Sequence, residues 1–143
     1  MDAILFSANL KLVDMDAAID HLLTKDELYW EVGFKINPKR FICPIFGFIH
    51  LCGSEVKYRV IINNIIPFSK SHYEDKELSR RVKPPEWLKE WETNKNNIRN
   101  YFWKSVFVIN LIEPFSYDTY KLFKYKGGSV TKAPQNYVMV LTP

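Results

Sequence analysis

Apolar and polar positions alternate at the start of the chain. Ile4, Phe6, Ala8, Leu10 and Leu12 fall on one side of an extended segment over 3–12, and Ser7, Asn9 and Lys11 on the other. A period of two describes a half-buried strand with a solvated face. The alternative puts Ser7, Asn9 and Lys11 at the mouth of a binding site. The period then changes. Asp14 is a good N-cap, and Met15, Ala18, Ile19, Leu22 and Leu23 recur at helical spacing behind it. A helix is expected over about 14–24, with Asp16 near its positive end and Lys25 near its negative end. Asp20 and His21 read as a charged helix face. Leu28–Tyr29–Trp30–Glu31–Val32 is a short strand ending near Gly33, and the basic stretch Lys35–Arg40 is a connection.

Phe41 to Leu51 is almost continuously apolar, broken by Pro44 and Gly47. A strand buried on both faces and bent at those two residues fits this pattern, with His50 a satisfied residue within it. Gly53–Ser54 signals a turn. Val56, Tyr58, Val60 and Ile62 alternate with Lys57 and Arg59, so the two runs form a hairpin that continues towards Ile66 and stops at Pro67. Residues 69–83 are polar and charged, and read as a long, mobile surface segment. Pro84–Pro85 open a second helix. Its Trp87, Leu88, Trp91 and Ile98 share one side, facing the core or, alternatively, a stacked ligand; the asparagines from Asn94 to Asn100 fray its end. A third strong strand runs from Tyr101 to Ile112 and ends at Pro114. Ser116 caps a short helical segment through Tyr120 and Phe123, stopped by Gly127–Gly128, and Tyr137–Leu141 is the last strand. The fold class is therefore α+β: a small, strongly curved sheet or barrel flanked by two or three helices. A single domain spans 1–143, with 69–100 as an insertion carrying a loop and a helix.

Composition narrows the function. A chain of 143 residues supports one core. Aromatic residues make up 15% of it, and a net charge of +4 favours a polyanionic partner. Cys43 and Cys52 lie in apolar runs without Cys-x-x-Cys spacing. They read as free buried thiols of a cytoplasmic protein. No stretch reaches membrane-spanning length, and the N-terminus lacks the pattern of a secretory signal. His21, His50 and His72 lack metal-ligand spacing. There is no phosphate-binding glycine loop, and no acidic run followed by Glu-x-Lys. The chain thus reads as a binding module with no catalytic residues, metal or cofactor. Tyr29, Trp30, Tyr101 and Trp103 offer stacking surface, and Ser7, Asn9 and Ser54 offer small polar groups near strand ends. Lys11, Arg80, Arg81 and Lys83 offer phosphate contacts. Such a set suits a nucleobase held between rings and read at its edge.

The order of these motifs resembles the EVE-type branch of the PUA-like superfamily. Phe6–Ser7–Ala8–Asn9–Leu10–Lys11–Leu12–Val13–Asp14 opens the resemblance. A helix, Tyr29–Trp30 and Ile36–Asn37 follow, then Gly53–Ser54–Glu55–Val56–Lys57–Tyr58–Arg59–Val60. It covers most of 4–66, returns weakly at 101–112 and at Ala133–Pro134–Gln135, and leaves 69–100 unmatched. Leu10 stands where proline is common, and Pro38–Lys39 where Gly-Asp is expected. The resemblance implies a β-barrel with a pocket for a modified nucleobase. Asn9 would be a polar contact and Trp30 a pocket wall, with Ser54, Tyr29 and Trp103 in support. It further implies a DNA-targeting module at the N-terminus of a McrB-type subunit of a modification-dependent restriction system, with an AAA+ GTPase domain in cis and a nuclease subunit as partner. An RNA-binding PUA-like domain and a protein-interaction domain are the alternatives.

Overall fold

Six strands and four helices form among the residues that the computed structural model describes, which are 2–8, 14–94 and 103–143. β1 (Asp2–Ser7) leads to α1 (Met15–Thr24) and β2 (Leu28–Val32). The hairpin of β3 (Ile45–Cys52) and β4 (Glu55–Pro67) follows. Three helices come next: α2 (Ser71–Glu74), α3 (Lys76–Val82) and α4 (Pro85–Asn94). β5 (Ser105–Asp118) and β6 (Tyr137–Leu141) complete one mixed sheet of order β2-β5-β4-β3-β1-β6. β1 and β3 are parallel, and every other neighbouring pair is antiparallel.

The sheet is curved but not closed, so the barrel alternative does not hold: β2 and β6 are its outermost strands and do not pair with each other. Curvature brings those edges towards each other across the core. Phe34, just after β2, lies 5.2 Å from Tyr137 of β6, and Phe6 of β1 meets Trp30 of β2 edge-on at 5.9 Å. Side chains of the neighbouring strands crowd β3 at one glycine. A Cβ on Gly47 would stand 2.7 Å from Val60 Cγ2 and 3.2 Å from Phe6 Cε1.

β1 is not half-buried. Ile4 and Phe6 join the larger core beneath α1, while Ala3 and Leu5 join a second core on the opposite face with Phe48, Val56, Leu122, Val130 and Val140. A strand lying between two others in a sheet covered on both sides has no solvated face. The expected continuation through residue 12 lies outside the described residues.

Asp14 caps α1 as its position predicts, its carboxylate accepting from Ala17 N at 3.0 Å. The buried stripe is displaced from the expected one, however: Leu23 is exposed and His21 is buried. His21 Nε2 lies 2.7 Å from the Glu27 carbonyl, so His21 is not part of a charged face. Residues 69–83 are not a loop. Asp75 accepts from Glu77 N and Leu78 N to start α3, and His72, Tyr73, Ser79 and Val82 are buried. Two helices this short carry too few apolar residues for periodicity to reveal them. Pro85 opens α4 as expected.

Pro114 does not end β5, which continues through it to Asp118. Pro114 is exposed and lies where the β4–β5 pairing shifts register, a position that does not need its N–H. Ser116 consequently caps nothing. Asp118 caps the 3-10 turn Thr119–Lys121 by accepting from Tyr120 N at 2.9 Å. His50 is satisfied within β3, its Nδ1 2.7 Å from Thr119 Oγ1.

Candidate nucleic-acid interface

Adjacent side chains on a strand point to opposite faces, and this separates Tyr29 from Trp30. Trp30 turns into the larger core. It is 4% exposed, edge-on to Phe6 and, at 5.8 Å, to Trp87 of α4. It fills the core instead of walling an open cleft, which corrects its assignment as a base platform. Tyr29 turns towards the helical insertion. There it meets His72 edge-on at 5.0 Å, and burial raises its hydroxyl pKa.

Tyr29, Lys83 and Trp103, three of the predicted site residues, come together on this side. Lys83 does not face phosphate. It is 1% exposed, its Nζ pairs with the Glu31 carboxylate and donates to the Tyr29 carbonyl at 2.7 Å. The ammonium also lies 4.5 Å from the Tyr73 ring centroid and 5.8 Å from that of Trp87, an attraction between cation and π-face that grows with desolvation. Burial pushes the Lys83 pKa down. Tyr73, Trp91 and Trp103 lie nearly parallel beside it, with Tyr73 and Trp91 only 4.3 Å apart. This arrangement anchors the insertion to β2. Lys83 is thus removed from the phosphate-binding set. Trp103 remains half-buried.

The other predicted residues are dispersed. Ser7 and Ser54 share one end of the sheet, since Ser7 pairs with His50 of β3 and Ser54 forms the next turn. Ser7 Oγ donates to the Pro134 carbonyl at 2.9 Å, and the Ser54 carbonyl accepts from Thr119 N. Arg80 and Arg81 are exposed in the last turn of α3. Asn9, Lys11 and Tyr101 lie outside the described residues.

A cleft of about 550 Å³ opens at the opposite end of the sheet, within the size range of small-ligand sites. Phe41, Ile42 and Phe46 wall it, Met139 of β6 lines it, and Arg40 and Asp2 supply a donor and an acceptor. Ile42 is 92% exposed. The Arg59 guanidinium lies over the Phe46 ring, 4.9 Å from its centroid, and is paired with Glu113.

Beside β6 lies a second feature that pattern reading missed. Lys124 bridges Val140, Tyr125 N donates to the Met139 carbonyl, and Leu141 N donates to the Phe123 carbonyl, so 123–125 extends the sheet past its edge strand. Tyr120, Phe123 and Tyr125 are exposed, and so are Lys121 and Lys126. The signal was present in Tyr120–Lys121–Leu122–Phe123–Lys124–Tyr125–Lys126, where rings and lysines alternate. A short-helix reading concealed it.

His21, His50 and His72 are each held below the ordinary histidine pKa by burial. Among the described residues no group of His, Cys, Asp and Glu could hold a metal ion, and no helix is long and apolar enough to cross a membrane. No family model, curated protein or solved structure matches this chain.

Proposed function

We propose that this chain is a nucleic-acid-binding module that takes an extruded base into the cleft at the Asp2–Phe46 end of the sheet. The carrying observation is the cleft itself: ring walls from Phe41 and Phe46, with the Arg40 guanidinium and the Asp2 carboxylate among its lining groups. A base needs a π-surface to stack on and a donor and an acceptor for its edge. The net charge of +4 supports a polyanionic partner.

The finer reading draws on the EVE-type resemblance. The module is PUA-like, the base is a modified one flipped from a DNA duplex, and the chain is the targeting module of a McrB-type restriction subunit. The strong curvature of the sheet and its flanking helices are compatible with that reading. RNA is the alternative ligand, and its 2′-hydroxyl and groove shape would be read differently.

Fluorescence anisotropy on one duplex in unmodified, N6-methyladenine, 5-methylcytosine and 5-hydroxymethylcytosine forms, with the matched RNA, tests this. Tighter binding of one modified form, lost in Phe41→Ala and weakened in Arg40→Gln, is the expected result. Equal affinity of both variants and wild type for every form removes the cleft from the reading.

A further inference from the structure

We infer that the ribbon 120–126 beside β6 is a single-strand-binding surface, distinct from the cleft and leading into it. The occupant is a single-stranded polynucleotide, and charge is the first argument. From Thr119 to Pro143 the chain carries Lys121, Lys124, Lys126 and Lys132 and not one Asp or Glu. Lys121, Lys126 and Lys132 are exposed. The neighbouring acid at the head of the ribbon, Asp118, has its carboxylate engaged with Tyr120 N. Asp2, opposite Leu141 on β1, is the one acidic residue that β1 brings to this edge.

Ring placement is the second argument. Phe123 is 59% exposed and Tyr125 60%. Exposed apolar groups that cluster, unlike scattered ones, mark interaction sites. Phe123 and Tyr125 flank the Lys124–Val140 bridge, Phe123 in a bridge to Ser129 and Tyr125 in the turn that Gly127 N closes on the Lys124 carbonyl. Leu141 and Met139 pair with them across the hydrogen bonds to β6, and Met139 also lines the cleft. Exposed rings with lysines between them offer stacking surface together with cations for the phosphates. This is the pattern by which single strands are bound without base preference, since every base has a π-face. A protein partner would be met by apolar surface with few charges at its centre, and the alternating lysines oppose that.

This inference rests on the reading that the chain binds nucleic acid, but not on the cleft. It is tested with fluorescein-labelled oligothymidylate and a blunt unmodified duplex, titrated against the full chain at several salt concentrations. Phe123→Ala and Tyr125→Ala should each weaken oligothymidylate binding about fivefold or more. Lys121→Gln with Lys126→Gln should reduce the slope of log K against log salt by roughly 1.4. Thermal melts of all variants should match wild type, because the substituted side chains are exposed. Unchanged oligothymidylate affinity in the ring variants overturns the proposal. So does a wild-type chain that binds the duplex and ignores the single strand, and in that case the cleft reading stands. A chain that binds neither probe, modified duplexes included, overturns both.

Discussion

Two regions of this molecule combine lysine with aromatic rings, and they do so on opposite sides of the solvent boundary. At the helical insertion, Lys83 is buried against Tyr73 and Trp87 and paired with Glu31. Beside β6, Lys121 and Lys126 alternate with exposed Phe123 and Tyr125. The residue types are the same and the physics differs. A buried ammonium loses its hydration and must recover it from a carboxylate, a carbonyl and ring faces, so each partner becomes indispensable. An exposed ammonium keeps its water and contributes little to folding. It therefore stays available to a phosphate. Composition alone cannot separate an internal clamp from a docking ribbon.

The sharpest way to break this comparison is at Glu31. Glu31→Ala leaves the Lys83 charge buried without its carboxylate and should cost about 3–5 kcal/mol in urea denaturation. The double variant Glu31→Leu with Lys83→Met should recover most of that loss. If the single variant is as stable as wild type, Lys83 is not a clamp. Tyr73→Leu keeps an apolar side chain but removes the ring face, and should cost about 2 kcal/mol in the same assay.

Acid should weaken the buried side further. His21, His50 and His72 have pKa values below the ordinary 6.5 in the folded chain. The unfolded chain therefore takes up protons first as pH falls through 6.5, and stability that is complete above that value declines below it. Melting temperatures across pH 5–7.5 should show this loss. His72→Phe, beside Phe68 and Tyr29, should show less of it; an unaltered pH profile would mean that His72 titrates alike in both states. The smallest effect on stability belongs to the ribbon, where Phe123→Ala and Tyr125→Ala should each shift unfolding by less than about 0.5 kcal/mol. A loss as large as that of Tyr73→Leu would make the ribbon a packing element.

Legibility followed the length of each signal. The Gly53–Ser54 hairpin, α1 with its Asp14 cap, and the final strand carry strong local signals, and the structure has them where the pattern places them. α2 and α3 carry little local signal because each spans so few residues, and their burial comes from contacts with each other, with β2 and with Trp103. The candidate site was legible only in part. Tyr29, Trp103 and Lys83 do gather, but Lys83 turns inward to a carboxylate that sequence spacing gives no reason to pair with it. The cleft was not legible at all, because Asp2, Arg40, Phe46 and Met139 come from four separate stretches of chain.

By itself, then, the amino-acid sequence determined the longer strands and α1, the aromatic excess and the positive charge, since these depend on local periodicity and on counting. Which face each strand buries, whether the sheet closes, and which lysines keep their water were decided by tertiary structure. Those properties depend on residues far apart in the chain. Trp30 and Tyr29 are adjacent, yet one is core and the other meets the helical insertion, because the curved sheet puts different neighbours on its two faces.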